Sequence, residues 1–327
     1  MSDMSRRPGN VLISSASRKV PMIQAAQAAL RRLNPEGRVI AGDMDAEALA
    51  GFVADGFWRM PVAREDNLVE LLEGCLVRGI TTVFPTRDGE LPFWAHARAR
   101  FAEAGIDVVV SDVPSVTTCI DKLAFSRFGE SMGLGIIPSA LVLEEIDAAA
   151  YVVKERFGAG SRNLGIGLSS EAARSHAHGL EAPLFQPFIA GREISMDAWM
   201  DDKGVPAGVI LRWRDKVVAG ESVITTTFRD AALEETALRI LAALRLRGPV
   251  VMQGIVDAAG KLHVIECNAR FGGASTVSLS AGLQMLLWSI AEGQGLDWQD
   301  IEPFRRVQEK VRQVRVPSDV IIHDPDL

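Results

Sequence analysis

The stretch from Val250 to Arg270, VVMQGIVDAAGKLHVIECNAR, constrains this chain more than any other. Two apolar runs flank a short glycine-containing turn, and polar residues interrupt both runs. That pattern predicts a β-hairpin with one functional face. With Ala258 to Lys261 as the loop, Asp257 stands opposite Leu262, and the same register sets Gln253 opposite Glu266. Glu266 and Asn268 are two apart, so strand alternation turns both to one face. Oxygen-bearing side chains then converge on one patch, the donor set needed by a Mg²⁺ ion that carries nucleotide phosphates. Arg270, two further on, brings a fixed cation to the same edge.

A chain of 327 residues suggests two or three domains. Hydrophobic residues make up 48%, enough for a sizeable core, and charged residues 24%. The net charge of -7 argues against a nucleic-acid partner, which would call for a basic face. No apolar run reaches the length of a membrane span. Met1 to Asn10 is polar, lacks the apolar core of a secretory signal, and is expected to fray. Cys75, Cys119 and Cys267 are scattered without metal-ligand spacing, which suits a reducing cytoplasm.

The first third alternates strand and helix. Short apolar runs at 11–15, 38–43, 81–85 and 107–110 are separated by helical patterns, the first at 20–33. This predicts a parallel sheet covered by helices, with ligands beyond the carboxyl ends of its strands. Those ends carry Ser14 to Lys19, Asp43 to Asp45 and Thr86 to Glu90. A dinucleotide site is excluded by the first turn, Ser15-Ala16-Ser17-Arg18-Lys19, which has none of the glycines that let backbone approach a pyrophosphate. Asp43 therefore reads as a turn or cap residue. A boundary is expected at Ser111 to Pro114. Beyond it come a helix opening at Asp121-Lys122, strands starting near Tyr151, Leu184, Glu193 and Val205, a long helix at about 230–246, and a final helix at about 276–292.

Lys154 ends an apolar strand and precedes a segment rich in glycine, Phe157 to Gly167, that contains Gly158, Gly160, Ser161 and Arg162. Such a loop can close its amides over an anion, and a plain surface hairpin fits it equally well. It is not a Walker A loop, since the Gly-Lys-Ser/Thr sequence is missing. In the strand Leu184 to Ile189, the backbone of Gln186 could read an adenine edge while Phe188 and Ile189 line an apolar pocket. Pro187 confines that strand to an edge or linker. Glu193 suits ribose hydroxyls, although its spacing alone reads as a solvated carboxylate. Arg212 and Arg214 share a strand face and form either a carboxylate clamp or a solvated surface. Asp88 reads as a helix N-cap, whereas Arg87 and Glu90 stay open as contacts to an amine or amino acid. Cys267 alternates away from Glu266 and Asn268 and reads as a packed core residue.

Taken together, these segments resemble the ATP-grasp superfamily, in particular its carbamoyl-phosphate-synthetase-like branch. The matching order is an α/β domain, Asp121-Lys122, strand–Lys154–glycine-rich loop, linker strand, Gly191-x-Glu193, and the hairpin ending Glu266-x-Asn268-x-Arg270. The resemblance spans nearly the whole chain and implies an α/β and α+β fold. A Rossmann-like pre-ATP-grasp domain would occupy 1–112, and an ATP-grasp domain 113–327 with a lid at about 151–189. It further implies that Lys122 and Lys154 contact ATP phosphates, that Gly158 to Ile166 is the lid loop, and that Gln186, Phe188 and Ile189 hold adenine. Glu193 would hold the ribose. Gln253, Glu266 and Asn268 would bind Mg²⁺, with Mn²⁺ as a substitute. Arg270, with Lys154 and Arg162, would stabilise the transferring phosphoryl group. Gln253 stands where the family more usually has an acidic residue, and this substitution is what points to the branch.

The expected reaction is ATP-dependent joining of a small carboxylate, such as an amino acid, to an amine through an acyl phosphate. A half enzyme that phosphorylates bicarbonate or carbamate is the second reading. A non-catalytic nucleotide-binding regulator is the third, and the joint presence of Lys122, Lys154, Glu266, Asn268 and Arg270 argues against it. The resemblance also implies a homodimer through the first domain, with no nucleic acid or membrane partner.

Overall fold

The computed structural model describes residues 9–158 and 163–322. Residues 1–8 of the tail expected at Met1 to Asn10, and the loop residues Gly160, Ser161 and Arg162, lie outside them, whereas Asn10 opens the first strand instead of fraying.

The first unit follows from its apolar runs. β1 (Asn10–Ser14), β2 (Val39–Asp43), β3 (Gly56–Arg59), β4 (Ile80–Phe84) and β5 (Asp107–Val108) form a parallel sheet in the order β3-β2-β1-β4-β5. It is flanked by α1 (Val20–Leu33), α2 (Leu68–Val77) and α3 (Leu91–Glu103). Central β1 buries Val11, Leu12 and Ile13 completely, as a parallel strand covered on both faces must. The edge strand β3 was not expected, because only Trp58 of its four residues is buried and its pattern is weak. Strand order reverses between β1 and β4, so a crevice opens at their carboxyl ends.

Glu90 ties that crevice together. It is buried and accepts hydrogen bonds from Ser14 Oγ (2.5 Å), Ser15 Oγ (3.1 Å), the amides of Thr86 (2.8 Å) and Arg87 (3.1 Å), and Trp94 Nε1 (3.1 Å). The expectation that Glu90 meets substrate is therefore corrected. Its oxygens hold the first unit's own loops.

Next come α4 (Val113–Ile120) and α5 (Lys122–Ser131), then a small sheet in the order β7-β6-β8. It is built from β6 (Tyr151–Glu155), β7 (Gly165–Leu168) and β8 (Pro183–Pro187), with α6 (Ser170–Ala177) packed on Val153 and Phe185. Pro187 lies on the edge strand, where a missing amide is tolerated.

The last unit is an antiparallel sheet in the order β13-β12-β9-β10-β11-β14. Its strands are β9 (Arg192–Met200), β10 (Pro206–Val218), β11 (Glu221–Phe228), β12 (Gly248–Val256), β13 (Leu262–Asn268) and β14 (Arg312–Val314). One face carries Ile194, Met196, Leu211, Met252 and Cys267 into the main core with α7 (Ala231–Leu244). The other face carries Glu193, Ser195 and Asp197, then Arg212 and Arg214, then Gln253, Glu266 and Asn268, paired across the strands. The long final helix expected near 276–292 is instead split into α8 (Thr276–Ser280) and α9 (Met285–Gly293), followed by α10 (Trp298–Ile301). Gly282 breaks it at φ +103, and a Cβ there would sit 2.2 Å from the Arg305 carbonyl oxygen. Among the described residues, no helix is long and apolar enough to cross a membrane.

Arg212 is also corrected from substrate clamp to scaffold. Its side chain is 3% exposed and binds Asp197, itself 0% exposed, at 2.7 Å. Ser275 (2.8 Å) and Ser278 (2.6 Å) donate to the same carboxylate, anchoring α8 on the sheet. Arg212→Ala would strand a buried carboxylate and is expected to cost roughly 3–5 kcal/mol. Thermal unfolding should show a large fall in midpoint, and an unchanged midpoint would refute the pair's structural role.

Candidate active site

The hairpin of β12 and β13 sets the site. Gln253 pairs with Glu266 as expected, but by another route. At the turn the register is Val256 to Leu262, not Asp257 to Leu262, because Asp257 closes the loop by donating its amide to the Lys261 carbonyl (3.1 Å). A bulge then leaves Ile265 without a partner and restores the register at Gln253. Gly254 makes the bulge possible, since a Cβ there would lie 2.9 Å from the His263 carbonyl oxygen. Cys267 faces Met252 in the core, away from Glu266 and Asn268.

The resulting donor set suits a hard cation. Asn268 Nδ2 makes a long contact to Glu266 Oε1 (3.3 Å). Among the described residues no other side-chain hydrogen bond reaches Glu266, Asn268 or Gln253. Their remaining oxygens are thus available as ligands. The set holds one carboxylate and two neutral amides, and no group of three or more His, Cys, Asp or Glu among the described residues could hold a metal by itself. Such a sparse set fits Mg²⁺ that takes most of its ligands from phosphate and water.

Cations converge on Glu266. Lys154, on β6, is buried, and burial pushes its ammonium down to about 8 against the opposing pull of Glu266. Lys122 opens α5 behind its cap Asp121 and donates from Nζ to the Gly158 carbonyl (2.8 Å). Burial lowers its pKa too, although Glu266 and Asp88 favour its charge. Arg214 holds Glu193 (3.0 Å) and the Gly220 carbonyl (3.0 Å), and its charge also senses Glu266. Asp88, Lys122, Gly158, Glu266 and Asn268 line a single pocket.

Arg270 reaches across to the first unit. Its guanidinium grips Asp88 in a bidentate pair at 2.7 and 2.5 Å. Burial opposes its charge, but Asp88, Glu266 and Glu90 outweigh this and hold its pKa up. The reading of Asp88 as an N-cap is therefore corrected. Local spacing could not reveal the pair, because its partners are 182 positions apart. Lys19, also missed, sits beside Arg270 and Arg87, with its Nζ on the Ser15 carbonyl (2.9 Å). Arg87 is exposed at the same crevice.

The linker strand differs in detail from expectation. Gln186 is buried and donates Nε2 to Ser139 Oγ (2.7 Å). Phe185 spends both its amide and its carbonyl on Ala140, on the outer side of β8. Alternation then turns the backbone of Gln186 inward to its partner Val152 on β6, so it cannot read a ligand edge. The outward group of the strand's end is the Pro187 carbonyl. Phe188 is 41% exposed, and Glu193 is exposed apart from its bond to Arg214.

Two family models match the chain. Residues 11–109 match the PylC-like N-terminal domain, and residues 180–316 match an ATP-grasp family described by its biosynthetic pathway with the Ter operon. No curated protein matches the sequence. Among solved structures, biotin carboxylase from Campylobacter jejuni in complex with β-γ-ATP is 19% identical, with a TM-score of 0.69 over 89% of this chain and 72% of that one. L-amino acid ligase from Bacillus licheniformis is 16% identical, with a TM-score of 0.69 over 97% and 82%. N5-carboxyaminoimidazole synthetase from Staphylococcus aureus, complexed with ADP, is 14% identical, with a TM-score of 0.69 over 89% and 78%. At such identities the likeness is one of fold, that of ATP-grasp enzymes, and it agrees with the ATP-grasp family model matched over residues 180–316 and with the geometry around Glu266.

Proposed function

We propose that this protein is an ATP- and Mg²⁺-dependent ligase that joins a small carboxylate to an amine through an acyl phosphate. The observation that carries the reading is the ring of Lys122, Lys154, Arg214 and Arg270 around the one carboxylate of Glu266, beside the unpaired oxygens of Gln253 and Asn268. The names of the similar L-amino acid ligase and N5-carboxyaminoimidazole synthetase support the same class.

In this reading the adenine edge meets the outward carbonyl of Pro187 and the amide of Ile189, and Glu193 takes the ribose. Lys122 and Lys154 bind the phosphates. Gln253, Glu266 and Asn268 would hold Mg²⁺, which would supply charge neutralisation to those phosphates. The substrate carboxylate oxygen attacks the γ-phosphorus, the bond to the β-phosphate oxygen breaks, and ADP departs. Arg270 and Arg214 offset the charge that accumulates on the transferring group. An amine nitrogen then attacks the acyl carbon, phosphate leaves, and the nitrogen loses a proton. Arg162, which lies outside the described residues, keeps its expected role as a further cation for the transferring phosphoryl group. Buried, unpaired Cys75, Cys119 and Cys267 suit a reducing cytoplasm. A dimer through the first domain is proposed by analogy with the biotin carboxylase domain of Hydrogenobacter thermophilus 2-oxoglutarate carboxylase, which is 18% identical with a TM-score of 0.72 over 93% of this chain and 73% of that one and is described as a dimer.

That domain is also described with MgADP and bicarbonate, which favours bicarbonate phosphorylation as the second reading. Mg-ATP with a panel of carboxylates and amines separates the two. ADP release that depends on an organic acid and yields a condensed mass supports the ligase, and release with bicarbonate alone supports the alternative. Glu266→Gln is expected to lower kcat by about 10²-fold or more with the thermal midpoint retained. Full activity in that variant would refute the metal assignment.

Lys154 sets a pH limit. It is charged below about 8 and loses its proton as pH rises through that value. kcat/KM for ATP, which reports the free enzyme, should therefore decline above about pH 8. Lys154→Arg, which stays charged, should remove the decline. A decline that persists unchanged in this variant would assign it to another group.

A further inference from the structure

The crevice at the ends of β1 and β4 holds three carboxylates, and their occupancy differs. Glu90 is saturated by donors from Ser14, Ser15, Thr86, Arg87 and Trp94. Asp43 accepts the amides of Ser17 (2.8 Å) and Asp45 (3.0 Å). Asp88 has a different kind of partner: both its oxygens go to one cation, Arg270. The pair is partly open, with side chains 18% and 20% exposed, and Asp88 lines the pocket that contains Glu266 and Asn268. Arg87 and Lys19 stand beside it, and among the described residues no carboxylate is in an ion pair with either.

We propose that Asp88 is the ammonium-recognition residue of the acid substrate, and that this substrate is a zwitterionic amino acid which inserts into the Asp88–Arg270 pair. Its ammonium takes Asp88. Its carboxylate takes Arg270, with Arg87 and Lys19 as neighbouring cations. The inference rests on the ligase reading above and deepens it.

The argument is one of charge balance. A plain carboxylate that captured Arg270 would leave Asp88 unpaired next to Glu90 and Glu266. A plain amine that captured Asp88 would leave Arg270 unpaired although its side chain is only 18% exposed. An unpaired, partly buried charge is unfavourable, so either half-exchange is resisted. A zwitterion satisfies both partners at once, and the ion pair thus rejects ligands that carry only one of the two charges. The exchange also does chemistry. It places the carboxylate on Arg270 at the end of the metal strand, and it keeps the substrate's own nitrogen protonated and therefore non-nucleophilic. The attacking amine must then be a second molecule.

The test traps the acyl phosphate with hydroxylamine, so the natural amine need not be known. The full-length protein is given Mg-ATP, hydroxylamine and each common L-amino acid in turn, then the N-acetyl derivative of the best substrate. Hydroxamate and ADP are measured. Expected is turnover of a free amino acid, with kcat/KM lower by about tenfold or more for its N-acetyl form. Asp88→Asn should erase that preference through a raised KM for the amino acid, while KM for ATP stays unchanged. Asp88→Glu should restore the preference, and equal thermal midpoints should exclude misfolding. A preference that survives in Asp88→Asn would overturn the assignment of Asp88. Equal turnover of free and N-acetyl acids by the unaltered protein would overturn the zwitterion class, with the ligase reading intact. If no carboxylate yields ADP or hydroxamate, the ligase reading itself fails and the inference falls with it.

Discussion

Glu266 is the negative pole on which the site depends. Lys122 and Lys154 approach it from α5 and the small sheet, Arg214 from β10, and Arg270 from the end of its own strand. Burial works against the charge of each of these cations, and Glu266 is common to what keeps them ionised. These groups come from separate units of the fold, so the carboxylate also helps define where those units face one another. Electrostatic assembly of this kind is effective because the surroundings are partly dry, where a charge acts more strongly than in water.

The sheet that carries Glu266 solves two problems with its two faces. Met196, Leu211, Met252 and Cys267 give the face under α7 an apolar surface that stabilises the fold by burial. The opposite face is polar along its length, and it would be costly to cover unless its groups were paired. At one end Asp197, Arg212, Ser275 and Ser278 pair completely and are sealed beneath α8. At the other end Gln253, Glu266 and Asn268 keep free oxygens beside a pocket. The boundary between scaffold and site thus runs along a single strand, between Arg212 and Arg214.

This boundary explains what could be read from the sequence. Alternation within one strand is local, so the shared face of Glu266 and Asn268, the inward turn of Cys267, and the common face of Arg212 and Arg214 were all legible. The Gln253–Glu266 pairing was legible as well, though the expected turn and the unexpected bulge at Ile265 offset each other. Pairing across long separations left no mark. Asp88 looked like a helix cap and Arg212 was left open as a ligand contact, because their true partners lie on other elements of the fold; Glu90, also left open, has both local partners, Thr86, Arg87 and Trp94, and distant ones, Ser14 and Ser15. The inward backbone of Gln186 was likewise invisible, since it follows from the bridge between Phe185 and Ala140. Edge strand β3 failed for another reason: a strand of four residues with one buried side chain has too little pattern to detect.

The neutral amides at 253 and 268 connect these observations. A second carboxylate at 253 would stand opposite Glu266 and add negative charge beside Lys154 and Lys122. Their ammonium groups would be neutralised within the protein, and an arriving phosphate chain would find less positive potential. With amides instead, the donors remain oxygen and the cations keep part of their charge unspent, Lys154 being charged below its pKa of about 8. Such a site gains most when an anion enters, because the ligand relieves repulsion among Lys122, Lys154, Arg214 and Arg270. The same logic governs the crevice of the first unit. There Asp88 pairs with Arg270, and in the proposed mechanism a ligand must supply both charges before that cation is released to the phosphoryl transfer.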